Sequence, residues 1–83
     1  MAVKASDEEQ VQRTELGSRI RRLRESRNLG QEAFADIAGI HRNHVGLLER
    51  GKIDPRLSTL SRVADALGVT ISFLLSDALS DSE

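Results

Sequence analysis

Apolar residues recur along this chain in five blocks at helical spacing, with polar residues between them. Leu16, Ile20 and Leu23 stand four and three apart, which sets them on one face of a first helix. Phe34, Ile37 and Ala38 repeat at three and four residues, the spacing of one buried face on a second helix. Ala35 lies beside that stripe, where a small side chain lets two helices cross closely. Val45 and Leu48 give a third helix its apolar side and turn Arg42, Asn43, His44 and Leu47 outward. Leu57, Leu60, Val63, Ala64 and Leu67 mark a fourth helix, and Ile71, Phe73, Leu74 and Leu75 crowd a short fifth. The pattern predicts an all-α fold of five helices.

Local signals set the boundaries. Ser6 and Glu9 have capping-box spacing, and Glu9 with Arg13 and Glu15 with Arg19 are favourable i,i+4 pairs. Helix 1 is therefore expected to begin near Asp7, with Thr14 as the competing cap, and to end at Asn28, a residue tolerant of the left-handed conformation. Helix 2 is expected over about 31–38, followed by Gly39 where the chain must turn with positive φ. Helix 3 is expected over about 42–50, stopped by Gly51, and helix 4 over 57–67, closed by Gly68. Thr70 can cap the fifth. Residues 1–5 are expected to be disordered, 6–75 to form the domain, and 76–83 to be a flexible acidic tail.

Between Gln31 and Leu48 two apolar helical patterns are separated by only about three residues of turn, the arithmetic of a helix-turn-helix. So tight a unit leaves one helix free to enter a DNA groove.

Gln31, Ala35, Gly39, Val45 and Leu48, followed by Glu49-Arg50-Gly51, resemble the helix-turn-helix of the phage-repressor and Cro type, the XRE family of bacterial regulators. The resemblance runs from about Leu16 to Leu75, and His41 to Gly46 look most like the small controller proteins of restriction-modification operons. It implies a five-helix phage-repressor-like DNA-binding domain with the motif in helices 2 and 3. The function it implies is a transcriptional regulator that acts as a homodimer on a promoter operator in double-stranded DNA. The competing expectation is an antitoxin or adaptor of the same fold that works mainly through protein contact. Four positions depart from the family pattern, one of them Leu47, where a polar residue is often found. Gly30 and His41 stand where Ser or Thr often caps helices 2 and 3, so both helices are expected to start with weaker caps than usual. Gly46 lies inside the recognition helix at a cost of about 1 kcal/mol relative to Ala, explained either by close approach to DNA or by surface tolerance.

Composition narrows the classes further. Eighty-three residues form one core, not two, and without cysteine there is neither a disulfide framework nor a thiolate metal site. No stretch has the apolar length of a membrane span, and the first fifteen residues lack signal-peptide order, so a cytoplasmic location is expected. Phe34 and Phe73 are the only aromatic residues, too few for the stacking platform of a single-strand or RNA binder. The net charge of −1 argues against a nucleic-acid partner until its distribution is read. From Leu16 to Gly68 ten Arg or Lys stand against six Asp or Glu, whereas residues 1–15 carry −2 and residues 69–83 carry −3. A local positive face, not the total, attracts phosphate. The arginines of helix 1 fit either a DNA contact or a solvated face.

The start of helix 3 is where side chains reach deepest into a major groove. Arg42 can pair bidentately with guanine and Asn43 with adenine, each discriminating by about 1–3 kcal/mol. The resemblance also places Arg42, Asn43 and Leu47 at base-contact positions, with His44 a neighbouring candidate. Leu47 either meets a thymine methyl or covers the helix against the loop. Gln31 opens helix 2, where its amide and the helix dipole suit a phosphate. Arg50, Lys52 and Arg56 suit backbone contacts. The resemblance matches Arg24 with Glu49 as an ion pair joining two helices. Ile71, Phe73, Leu74 and Leu75 cannot all face one small core, so they are expected at a dimer interface, unless Leu74 or Leu75 folds inward over helix 1. The sequence does not say whether the regulator represses or activates; activation would need a surface for RNA polymerase, for which Glu32 and Asp36 are the candidate by analogy. His41 and His44 lack a third ligand for a metal, no cofactor is expected, and no nucleophile or paired-carboxylate arrangement supports an enzyme.

Overall fold

The structure, a computed structural model, describes residues 5–76 of the chain. The expected disordered N-terminus and acidic tail fall, apart from Ala5 and Ser76, outside the described residues. Five helices follow one another: α1 (Ala5–Ser26), α2 (Gln31–Ala38), α3 (Arg42–Glu49), α4 (Leu57–Leu67) and α5 (Ile71–Leu75). No strand occurs among the described residues.

Helix α1 starts at Ala5, so Ser6 lies inside the helix instead of preceding it, and Thr14 does not start one. Acidic residues in its first turn complement the helix dipole, and exposed pairs one turn apart, such as Arg21 with Glu25 at 3.1 Å, support its solvated side. The chain leaves α1 through Asn28 in the left-handed region (φ 58°), and α2 through Gly39 (φ 74°), whose N–H reaches back to the Ala35 carbonyl. That reversal turns α3 across α2.

The core gathers Ile20 of α1, Phe34, Ala35 and Ala38 of α2, Val45 and Leu48 of α3, Val63, Ala64 and Leu67 of α4, and Leu74 of α5. Burying a side chain the size of Phe34 or Leu67 contributes about 1.5–3 kcal/mol, and α3 is the element that α1 and α2 hold between them.

Three expectations about the apolar faces are corrected. Ile37 is 58% exposed, because α2 turns its Phe34–Ala35–Ala38 side inward and Ile37 is carried around the helix away from it. Ala35, where a close helix crossing is expected, is 2% exposed. Leu57 is 67% exposed: it opens α4 one turn before Leu60, beyond the packed part of the stripe. Leu74 is buried in its own subunit's core and is withdrawn from the set available to a partner.

Candidate nucleic-acid interface

Helix α3 begins with a cap. The imidazole Nδ1 of His41 accepts from the Asn43 backbone N–H at 3.0 Å, so His41 does the work usually given to Ser or Thr, which corrects the expectation of a weak start. With Nδ1 as acceptor, the hydrogen-bond network assigns the ring proton to Nε2. Gly30, by contrast, gives α2 no side-chain cap.

The far end of α3 is fixed from within. Arg24 donates from Nε to Glu49 Oε2 at 2.6 Å and from Nη2 to Oε1 at 3.0 Å, and its Nη1 donates to the Leu29 carbonyl at 2.7 Å. One buried guanidinium thus ties α1, the approach to α2 and the end of α3. The hydrogen bond to Glu49 is the main reason its pKa is raised above the ordinary arginine value, burial opposes the rise, and the negative charges of Glu49 and Glu25 reinforce it. Gln31 joins the same group by donating from Nε2 to Glu49 Oε1 at 3.1 Å. An amide nitrogen carries two donors, so one N–H of Gln31 is left for an outside acceptor.

Two contacts from α1 complete the frame. A Cβ on Gly17 would lie 2.6 Å from the Glu49 carbonyl oxygen and against that of Leu48, so only glycine lets α1 cross the end of α3 this closely. Gln10 donates from Nε2 to the Gly51 carbonyl at 2.9 Å, bracing the turn that carries Lys52. Sequence reasoning singled out neither residue. A glycine inside a helical pattern is itself a packing signal, whereas nothing in the sequence distinguishes Gln10.

Within this frame Gln31 and Glu32 at the start of α2, with Arg42, Asn43, Leu47 and Arg50 along the outer edge of α3, line one shallow concavity. Its floor is Gly46, buried beneath Arg50: a Cβ there would sit 3.1 Å from Arg50 Nη1. Arg42 and Asn43 are exposed and Leu47 is half-buried. Arg42 Nη1 stands 3.7 Å from Glu32 Oε1, a pairing that the sequence reading did not identify. His44 is half-buried and does not line the concavity, because it falls on the flank of α3 between the outer edge and the buried Val45. Lys52 and Arg56 are exposed but lie outside the concavity, Lys52 just after Gly51 and Arg56 at the N-cap of α4.

On α5, Phe73 and Leu75 are 45% and 54% exposed, Ile71 is half-buried, and the Arg19 guanidinium stands 5.7 Å from the Phe73 ring centre. Among the described residues no three His, Cys, Asp or Glu are grouped to hold a metal, and no helix is long and apolar enough to cross a membrane.

A model of the helix-turn-helix family HTH_3 matches residues 20–74. The chain is 41% identical over 59 residues to the SPbeta prophage-derived uncharacterized HTH-type transcriptional regulator YonR of Bacillus subtilis, covering 71% of this chain and 55% of YonR. It is 40% identical over 60 residues to the control protein C.SmaI of Serratia marcescens, covering 72% of this chain and 71% of that protein. The crystal structure of the restriction-modification controller protein C.AhdI from Aeromonas hydrophila is similar with a TM-score of 0.72 and 34% identity, over 74% of this chain and 92% of that one. The chain therefore spans about half the length of the prophage regulator and most of each controller.

Proposed function

Since the chain belongs to the HTH_3 helix-turn-helix family, the XRE-type family that its sequence resembles, we propose that it is a transcriptional regulator that binds an operator in double-stranded DNA as a homodimer. This is a family of regulators and not of enzymes. The observation that carries the reading is the meeting of Gln31, Arg42, Asn43, Leu47 and Arg50 along one concave edge formed by α2 and α3.

In this reading Arg42 and Asn43 face base edges, and Leu47 covers a thymine methyl at the same edge. His44 is an auxiliary contact on the flank. Gln31, Arg50, Lys52 and Arg56 meet phosphates, Gln31 with its remaining amide N–H at the positive end of α2. Phe73, Leu75 and the exposed part of Ile71 form the dimer contact, which places the two α3 helices on successive major-groove faces about 34 Å apart. Glu32 lies in the DNA-facing concavity, so of the two acidic residues the exposed Asp36 is the one left to meet RNA polymerase if the bound protein activates. The cytoplasm, where such DNA is found, is the corresponding location.

Selection of bound duplexes from a randomised pool by the purified protein tests the proposal. A two-fold symmetric motif is expected. Absence of any enriched motif, together with salt-insensitive binding, would favour the protein-contact alternative. If roughly three to five phosphates are met per subunit, log affinity falls against log salt with a slope near −0.9 for each.

A further inference from the structure

Glu32 is the anomaly of the proposed DNA face. It places a carboxylate, 75% exposed, in the same concavity as Gln31, Asn43 and Arg50, where approaching phosphates would repel it. Its partner is Arg42, itself 63% exposed and held at 3.7 Å through Nη1. So exposed a pair adds little to the fold. Its consequence lies in which acceptors Arg42 is free to take.

We infer that Glu32 is a specificity-determining residue: it holds Arg42 away from the phosphate backbone and leaves it free to engage a neutral base edge. The inference rests on the DNA-reading role proposed for α3. A guanidinium has five N–H donors, and Glu32 stands 3.7 Å from Nη1, beyond direct hydrogen-bond length. Two of those donors can meet guanine O6 and N7 while the carboxylate stays in place, because the guanine edge carries no charge. If Arg42 turns to a phosphate, the carboxylate either loses its partner or is drawn toward a like charge. Glu32 therefore weakens binding to DNA that lacks the matching base more than binding to DNA that has it, and discrimination is gained by disfavouring the wrong site.

The test uses Glu32→Gln, which keeps shape and removes charge at an exposed position, in the wild-type and Arg42→Ala backgrounds. Fluorescence anisotropy on a selected operator duplex and on a scrambled duplex, over a salt series, supplies the readout. In the wild-type background, affinity for the scrambled duplex is expected to rise about ten-fold, with a salt slope steeper by about 0.9 as Arg42 takes up one phosphate. Operator affinity rises less, so the ratio of the two falls. In the Arg42→Ala background the slope on scrambled DNA is expected not to change. An unchanged ratio and slope, or an equal steepening without Arg42, overturns the inference while leaving the regulator reading intact. Failure of the wild type to prefer any duplex would overturn the regulator reading and this inference with it.

Discussion

Arg24 and Glu49 face each other across the crossing of α1 and α3 in a two-pronged pair, with Nε to Oε2 at 2.6 Å and Nη2 to Oε1 at 3.0 Å, both side chains buried. The pair sits directly behind the proposed reading edge, since Gln31 also donates to Glu49. The rigidity of that edge therefore depends on a salt bridge buried behind it.

Removing one partner strands the other charge. Arg24→Ala or Glu49→Ala is expected to destabilise the fold by about 3–5 kcal/mol, measured by urea unfolding, and to abolish duplex binding through loss of structure. Because a raised basic pKa gives stability that is present below the unfolded value and lost only as pH climbs through the folded one, the guanidinium holds its contribution throughout the neutral range. The destabilisation by Arg24→Ala should then be the same at pH 6 and pH 9, to the extent that it arises from the guanidinium.

Two glycines inside helices should respond in opposite ways to the same change. Gly17→Ala drives a methyl into the backbone carbonyls of Leu48 and Glu49, which cannot rotate aside, and is expected to cost about 1–3 kcal/mol despite the better helix propensity of Ala. At Gly46 the neighbour is only the tip of Arg50, so Gly46→Ala is expected to stabilise the fold by up to about 1 kcal/mol. By displacing the Arg50 guanidinium it should also weaken duplex binding. Melting curves and anisotropy on the same two variants check the contrast.

Loss of the imidazole cap should register at the start of α3. His41→Ala is expected to lower stability by about 1 kcal/mol, and His41→Ser to recover most of it, because a hydroxyl can accept the same Asn43 N–H. Denaturant titration of the three proteins measures both steps.

Disrupting the proposed dimer contact should leave the subunit folded. Leu75→Glu places a charge at a position already 54% exposed, so melting of the isolated subunit should change little. Sedimentation equilibrium should instead show the dimer shifted to monomer, with operator affinity falling in step.

Much of this molecule is legible in its sequence, for identifiable reasons. The glycines at 39, 51 and 68 and Asn28 mark the left-handed exits because few residues accept that backbone, and the helical periods of Ile20, Leu60 to Leu67 and Val45 with Leu48 point inward as their spacing requires. What misleads is the direction of a face when large and small residues compete. On α2 the bulk of Ile37 suggests burial, yet the inward side is that of Phe34, Ala35 and Ala38, and Ile37 is carried around to solvent. Leu57 and Leu74 show the same limit, since periodicity fixes a stripe but not where the opposing surface ends or which member of a cluster turns inward. At the proposed site, the outward edge of α3 follows from Val45 and Leu48, which face the core. The Glu32–Arg42 pairing, the Gln10–Gly51 brace and the Gly17 crossing join residues distant in sequence and arise only when the helices are assembled.

The central claim is that the outer edge of α3 reads bases. Its most direct measurement is the affinity of Arg42→Ala, Asn43→Ala and Lys52→Ala for a panel of duplexes carrying every single-base change in the selected operator. The account predicts that Arg42→Ala and Asn43→Ala each erase discrimination at particular base pairs, by about 1–3 kcal/mol, whereas Lys52→Ala weakens every duplex alike. Uniform loss across the panel for Arg42→Ala and Asn43→Ala, with discrimination intact at every position, would contradict it.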